Sequence, residues 1–124
     1  MLIKGSAKKG LKTKVLIPDL TSNDIAIINH RDIDGVAAMQ LAEKKIKAII
    51  NASASLSGRY PNRGPQILLD AGLPIIDDVG KALFDEIVDG DTVIIDEGKL
   101  YLNGSYICNV KVLTEGDIKK GMEQ

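Results

Sequence analysis

The sequence predicts an α/β domain: a three-layer, swivelling-type β/β/α sandwich with a partly parallel sheet and a C-terminal β-meander. Short aliphatic runs, typical of buried strands, alternate with segments of helical periodicity through most of the chain. Two hairpin dipeptides, Glu97-Gly98 and Asn103-Gly104, then indicate antiparallel strands. The composition agrees, since 44% of the 124 residues are hydrophobic but only 3% are aromatic, which is typical of a close-packed aliphatic core.

The predicted elements of the first half begin with a short strand pair at residues 2–6 and 13–17, around a turn rich in Lys and Gly. Residues 24–29 form a continuous aliphatic run, which indicates a buried central strand. Asp32 or Asp34 can cap the helix that follows and extends to about Lys45. Its apolar residues recur at helical spacing, at Ile33, Val36, Ala37 and Leu41.

The second half continues the alternation with strands predicted at 46–50 and 73–76 and helices at 65–71 and 80–88. The strands 24–29, 46–50 and 73–76 should form a parallel core, because helical segments separate them as right-handed crossovers require. Strands at 92–96 and 99–102 follow, and a last strand ends at Leu113. Residues 1–113 are predicted to be a single domain, and residues 114–124 either a frayed polar tail or the start of a helix or linker to a further C-terminal domain.

Charge, cysteine content and hydropathy give no support to a nucleic-acid-binding, disulfide-linked or membrane-spanning protein. Sixteen basic and seventeen acidic residues give a net charge of −1, which does not support nucleic-acid binding. Cys108 is the only cysteine, and its strand-like setting predicts a buried structural thiol in a reducing cytoplasm. No apolar run is long enough to predict a membrane span. The sequence leaves a homo-oligomer open.

A polar segment, residues 51–65, follows the second predicted parallel strand and precedes a short helix. It is rich in hydroxyls and amides and carries Arg59 and Arg63, whose planar groups suit phosphate or carboxylate. Helix N-termini also favour anions. We therefore expect a small anionic or nucleotide-like ligand to bind at this segment.

A second polar segment, residues 29–34, follows the first predicted parallel strand. Parallel strands joined by one helix bring their carboxyl ends to the same edge of the sheet, so both segments should line one cleft. The alternative is that the loops only satisfy their own backbone groups. The predicted ligand-binding residues are Asn29, His30, Asp32, Asp34, Asn51, Ser53, Ser57, Gly58, Arg59, Asn62, Arg63 and Gly64.

Each of three catalytic classes lacks a required part in this sequence. Asp32-Ile33-Asp34-Gly35 resembles the first metal motif of the DHH phosphoesterases, but no later segment supplies histidines or a second acidic cluster, and Asp77-Asp78 alone does not complete the site. The pattern from Ala71 to Asp96 resembles the swivelling phosphohistidine domain of phosphoenolpyruvate-utilising enzymes, yet that family's histidine position falls in residues 62–64 of this chain. Serine hydrolase motifs are absent from the sequence. We expect neither catalytic residues nor a metal or cofactor.

The segments 24–38, 51–65 and 71–74 together resemble the amino-terminal domain of SteA-like cytokinetic-ring proteins, a membrane-anchored, thiamin-pyrophosphokinase-like family. The Ser57-Gly58-Arg59-Tyr60-Pro61-Asn62 stretch is distinctive. The resemblance spans about residues 12–113 and implies a role in bacterial cell division and envelope maintenance, with a division or envelope protein as partner. It also implies a thiamin-pyrophosphokinase-like domain and a membrane segment beyond this one. The alternative is that this domain forms part of a nucleotide-binding, pyrophosphoryl-transfer enzyme.

Overall fold

A computed structural model describes residues 1–59 and 61–122, and within them eight strands form one mixed sheet. The strands are β1 (Leu2–Lys9), β2 (Asp24–Ile28), β3 (Ala48–Asn51), β4 (Ile75–Asp77), β5 (Thr92–Asp96), β6 (Lys99–Leu102), β7 (Ser105–Asn109) and β8 (Lys111–Val112). The helices are α1 (Thr13–Leu16), α2 (Gly35–Glu43), α3 (Gly64–Asp70), α4 (Lys81–Glu86) and α5 (Glu115–Met122), and a 3₁₀ turn covers Ile17–Asp19. No helix among these residues is long and apolar enough to span a membrane.

The strand order is β7-β6-β5-β1-β2-β3-β4-β8. Strands β1 to β4 are parallel, whereas β5, β6 and β7 form an antiparallel meander on β1, and β8 pairs antiparallel with β4. The predicted parallel core of β2, β3 and β4 is therefore confirmed. The continuous aliphatic runs of β2 and β3 are buried at every position, as a sheet covered on both faces requires.

The sheet curves back on itself. Its two outermost strands, β7 and β8, are joined by Val110 alone, and one residue spans only about 3.5 Å. One apolar cluster lies inside this curve, where side chains of the meander meet one face of the parallel strands and α4. The other cluster lies between the opposite face of β2–β4 and the remaining helices. Meander, parallel strands and helices are the three layers of the predicted sandwich.

Two predicted elements were wrong. Residues 13–17 are not a strand, because their buried side chains, Thr13, Leu16 and Ile17, follow helical spacing rather than alternation. Strand β1 is consequently not half of a local hairpin. It pairs with β2 and β5 and lies in the interior of the sheet.

The last predicted strand, which was expected to end at Leu113, is also broken in two. The chain leaves the meander after Asn109 and re-enters the sheet beside β4 as β8. The amide of Val110 meanwhile donates to the Gly98 carbonyl, 2.8 Å away. The meander is thus limited to β5–β7, and the chain then crosses to the other edge of the sheet.

Helix α5 closes the described part of the chain. Thr114 and Asp117 form a reciprocal cap, in which the Thr114 amide donates to the Asp117 carboxylate at 2.9 Å and the Asp117 amide donates to the Thr114 hydroxyl oxygen at 3.1 Å. Ile118 is only 2% exposed and belongs to the cluster beneath the helices. Gly121 packs on Leu56, where an added Cβ would lie 2.6 Å from the leucine Cδ2. Helix α5 therefore lies against the polar loop that follows β3.

Candidate functional site

Two polar loops lie together at the carboxyl edge of the parallel strands, the β2 loop (residues 29–34) and the β3 loop (described for residues 52–59 and 61–63). Both begin where a parallel strand ends, and β2 and β3 are direct neighbours in the sheet. The loops are also bonded to each other, since the Asp32 amide donates to the Ala54 carbonyl at 2.9 Å and the Ile33 amide donates to the Ser55 carbonyl at 3.1 Å. The two segments share one edge, as the sequence predicted.

Asn51 joins the loops at their base. Its side chain is fully buried, and its Oδ1 accepts hydrogen bonds from the backbone amides of His30 at 3.0 Å and Ser53 at 3.1 Å. Its Nδ2 donates to the His30 carbonyl and to the Ser55 hydroxyl, both at 2.8 Å. All four hydrogen-bonding positions of the amide are therefore used inside the protein. Asn51 is placed as a structural clamp rather than as a ligand contact.

Asp32 forms a second link between the loops. It has a positive φ of 53°, a conformation that aspartate tolerates better than most residues. Its carboxylate accepts from both the amide of Ser57, at 2.7 Å, and the Ser57 hydroxyl, at 2.9 Å. Asn29 and Ser53 form a further link, in which the Ser53 hydroxyl donates to Asn29 Oδ1. These polar groups hold the loops in one arrangement.

Other predicted site residues also have internal partners. Asp34 caps α2 by accepting from the Ala37 amide at 2.9 Å. His30 is half-buried, and its Nδ1 lies 2.8 Å from the Thr13 hydroxyl, an interaction that the sequence did not indicate. Asn62 is buried and donates to the Ser55 carbonyl at 3.1 Å.

Gly64 was expected to offer its amide to an anion, and the structure corrects this. The amide donates to Asn62 Oδ1 at 3.3 Å, so the chain already occupies it. Gly64 is also buried against the β2 loop, where an added Cβ would lie 1.8 Å from the Ile33 carbonyl oxygen. The first residue of α3 is therefore a packing contact between the two loops.

Asp77, at the end of β4, belongs to the same edge and was missing from the predicted site. Its Oδ1 accepts from the Ser55 amide at 2.9 Å. Burial raises the pKa of the Asp77 carboxyl, and its hydrogen bonds with Ser55 partly oppose that rise. Its position after the third parallel strand was the signal in the sequence, because that strand ends at the same edge as β2 and β3.

Arg59 and Arg63 differ from the rest of the predicted set because they are exposed. The Arg59 amide donates to the Ser57 hydroxyl oxygen at 3.3 Å, which ties its backbone to the linked loops, and Gly58 before it has a positive φ of 84°. Neither arginine forms an ion pair with a carboxylate among the residues that the structure describes. The same described residues contain no group of three or more His, Cys, Asp or Glu side chains placed to hold a metal ion.

Comparisons with known proteins give a likeness of fold. The crystal structure of 3-isopropylmalate dehydratase (leuD) from Methanocaldococcus jannaschii is similar to this chain, with a TM-score of 0.61 over 98% of this chain and 90% of that one. The two sequences are 18% identical, so the likeness supports the α/β sandwich and does not extend to activity. No protein-family model and no curated protein sequence matches this chain.

Proposed function

We propose that this domain is a non-catalytic binding module of a SteA-like bacterial division protein, and that it holds a small phosphate-bearing ligand at the loop of residues 51–65. The observation that carries the proposal is that, among the described residues, most polar groups of the two loops are used in internal hydrogen bonds, whereas the side chains of the two β3-loop arginines are not. The amides, hydroxyls and carboxylates of the two loops bond mainly to one another and so link the loops into one frame. Arg59 and Arg63 are exposed on the surface of this frame.

A rigid frame with exposed arginines suits recognition better than chemistry. The hydroxyl of Ser57 already donates to Asp32, and the hydroxyl of Ser53 donates to Asn29, so both are used as linkers. Guanidinium groups held on an ordered backbone lose less conformational entropy on binding an anion than groups on a mobile loop. A charge-assisted bond to phosphate is also among the stronger polar contacts.

The cellular role in this proposal comes from the sequence resemblance alone. The segments around the β2 and β3 loops are those that resemble the amino-terminal domain of SteA-like proteins. On that basis the domain works in the cytoplasm, at the inner face of the cell membrane, with a division or envelope protein as its partner. Ligand binding at the β3 loop would then report to that partner.

Isothermal titration of the purified chain with pyrophosphate and with ADP, with and without Mg²⁺, tests the proposal. We expect saturable binding that Arg59→Ala weakens by about 1.5–3 kcal/mol, the usual scale for a hydrogen bond to a charged group. Arg31→Ala is the matched control, because Arg31 is an exposed arginine in the neighbouring β2 loop, and it should bind as the wild type does. Equal affinity in wild type and Arg59→Ala would contradict the anion site.

Phosphorus NMR of the chain with ATP, thiamin and Mg²⁺ separates the module from an enzyme, because this mixture supplies a pyrophosphoryl donor and an acceptor hydroxyl. A binding module leaves the ATP unchanged over hours. Conversion of ATP to AMP, with the pyrophosphoryl group passed to the thiamin hydroxyl, would instead favour the alternative, in which the domain contributes to a thiamin-pyrophosphokinase-like transferase.

A further inference from the structure

A cleft of about 670 Å³ lies between α3 and α5, beside the β3 loop. This volume falls within the range of small-molecule sites, roughly 300–1,000 Å³. The described residues that line it are Asn62, Arg63, Gln66, Ile67, Glu115, Gly116, Ile118, Lys119 and Met122. Most of them belong to α5, in the segment that the sequence predicted as either a frayed polar tail or the start of a helix or linker.

The inner surface of the cleft is apolar. Ile118 is buried in the helix-side core, and Ile67 is packed against that core at its margin. Met122 is 37% exposed, and its Sδ accepts from the Asn62 amide at 3.2 Å, so the thioether lies against the β3 loop where both residues line the cleft. An apolar group placed in this cleft would leave water and contact a preformed surface.

Among the lining residues that the structure describes, cations outnumber carboxylates at the rim of the cleft. Arg63 and Lys119 are both exposed, and neither forms an ion pair with a carboxylate within the described part of the chain. Among the described lining residues the one carboxylate, Glu115, accepts from Gln66 Nε2 at 2.9 Å. That same Nε2 donates to Asp70 at 2.8 Å, so the bridge fixes the side chains on that wall.

We propose that the α3–α5 cleft binds a small amphipathic anion. The apolar body of the ligand lies against Ile67, Ile118 and Met122, and its sulfonate, carboxylate or phosphate group meets Arg63 and Lys119. The inference deepens the proposed function and rests on it in one respect, that Arg63 serves as an anion contact. It adds the chemical class of the ligand, since a bare phosphate would leave the apolar wall unused.

The test uses the fluorescent probe 1-anilinonaphthalene-8-sulfonate, which combines an aromatic body with one sulfonate. We expect one saturable site on the whole chain and at least a tenfold weaker affinity in the double variant Arg63→Gln, Lys119→Gln. Arg31→Gln, Lys14→Gln is the control for loss of two exposed cations, and Val36→Ser is the control for an exposed apolar residue on another helix. Both controls should bind the probe as the wild type does.

Gly116→Leu tests the cavity itself. An added Cβ at Gly116 would have only the Thr114 hydroxyl oxygen, at 3.7 Å, within 4 Å, so a larger side chain has room at this lining position. Leucine is also a far better helix former than glycine, so the melting temperature should stay the same or rise while the probe affinity falls at least tenfold. Loss of binding in a variant that is no less stable cannot result from unfolding.

Two outcomes would overturn the inference. One is wild-type affinity in both Gly116→Leu and the double variant. The other is weakening by Val36→Ser to the same extent, which would place the probe on the general apolar surface. After either outcome, pyrophosphate binding that depends on Arg59 would leave the anion site of the proposed function intact. Only the proposal of an amphipathic ligand in the α3–α5 cleft would then be wrong. If both ligands fail to bind, both proposals fail.

Discussion

Asn51 is the residue on which the arrangement of the two polar loops depends most. Its amide bonds to backbone and side-chain groups of both loops, and it is fully buried. Asn51→Ala leaves several buried polar groups without partners, so we expect it to lower the free energy of unfolding by about 3 kcal/mol. Asn29→Ala is the matched control, because Asn29 is exposed and, among the described residues, its side chain bonds to Ser53 alone, and it should cost less than about 1 kcal/mol. Urea unfolding measures both, and equal losses would contradict the clamp.

Asp77 predicts how stability changes with pH. Its carboxyl pKa is raised above the ordinary value of 3.8, chiefly by burial. The folded protein therefore holds this proton to higher pH than the unfolded chain does, so the contribution of Asp77 to stability is present below pH 3.8 and is lost as the pH rises through the raised pKa. Asp77→Asn keeps an oxygen for the Ser55 amide without the charge.

We therefore expect Asp77→Asn to gain stability relative to wild type as the pH rises from about 3.8 toward neutrality. Urea unfolding of both proteins across this interval gives the difference directly. Asp19→Asn, which removes an exposed carboxylate that is not among the causes of the Asp77 shift, controls for the change in net charge. A difference that stays constant, or that moves in favour of the wild type as the pH rises, would show that burial does not govern this carboxyl.

At the scale of elements, the start of α3 packs on the β2 loop through Gly64. An alanine Cβ there would lie 1.8 Å from the Ile33 carbonyl oxygen, which is backbone and cannot turn aside. Gly64→Ala should therefore cost about 3 kcal/mol, at the upper end for overpacking. Gly35→Ala is a matched control in the first turn of α2, where the nearest atom is Ile67 Cδ1 at 3.6 Å. It should be neutral or stabilising, because alanine favours helix more than glycine does. Thermal unfolding gives the melting temperatures of both variants. Equal melting temperatures would contradict the close contact between Gly64 and the Ile33 carbonyl.

The elements that could be predicted are those whose pattern is local. The aliphatic runs of β2, β3 and β4 and the hairpin dipeptides around β6 contain their own signal, and their strands were found. Strand β1 was predicted as a hairpin partner because a turn rich in Lys and Gly follows it in the sequence. Its true partners, β2 and β5, are set by contacts distant in sequence. The break at Val110 likewise depends on the curvature of the whole sheet.

The candidate site divides in the same way. That both polar loops share one edge follows from the parallel strands and one connecting helix, so it could be predicted. Whether a polar group forms a hydrogen bond within the protein depends on distances of a few tenths of an ångström. Such distances cannot be read from the sequence. Gly64 was therefore taken for an anion contact, and Asp77 was omitted. Helix α5 was missed as a wall of the cleft because its packing on Leu56 becomes visible only in the folded chain.

At the scale of the whole molecule, the position of a strand in the sheet predicts how well its backbone amides are protected from exchange with solvent. Strand β2 lies between two parallel partners, and all five of its residues are buried, so its amides should exchange with solvent only on global unfolding. Strand β7 is an outermost strand with a neighbour on one side only, and none of its five residues is buried. It should exchange by local opening, at a rate at least about tenfold faster. Hydrogen–deuterium exchange measured by NMR compares the two strands directly, with β3, which is likewise buried throughout, as the internal reference. Equal protection of β7 and β2 would contradict the position of β7 as an edge strand of the sheet.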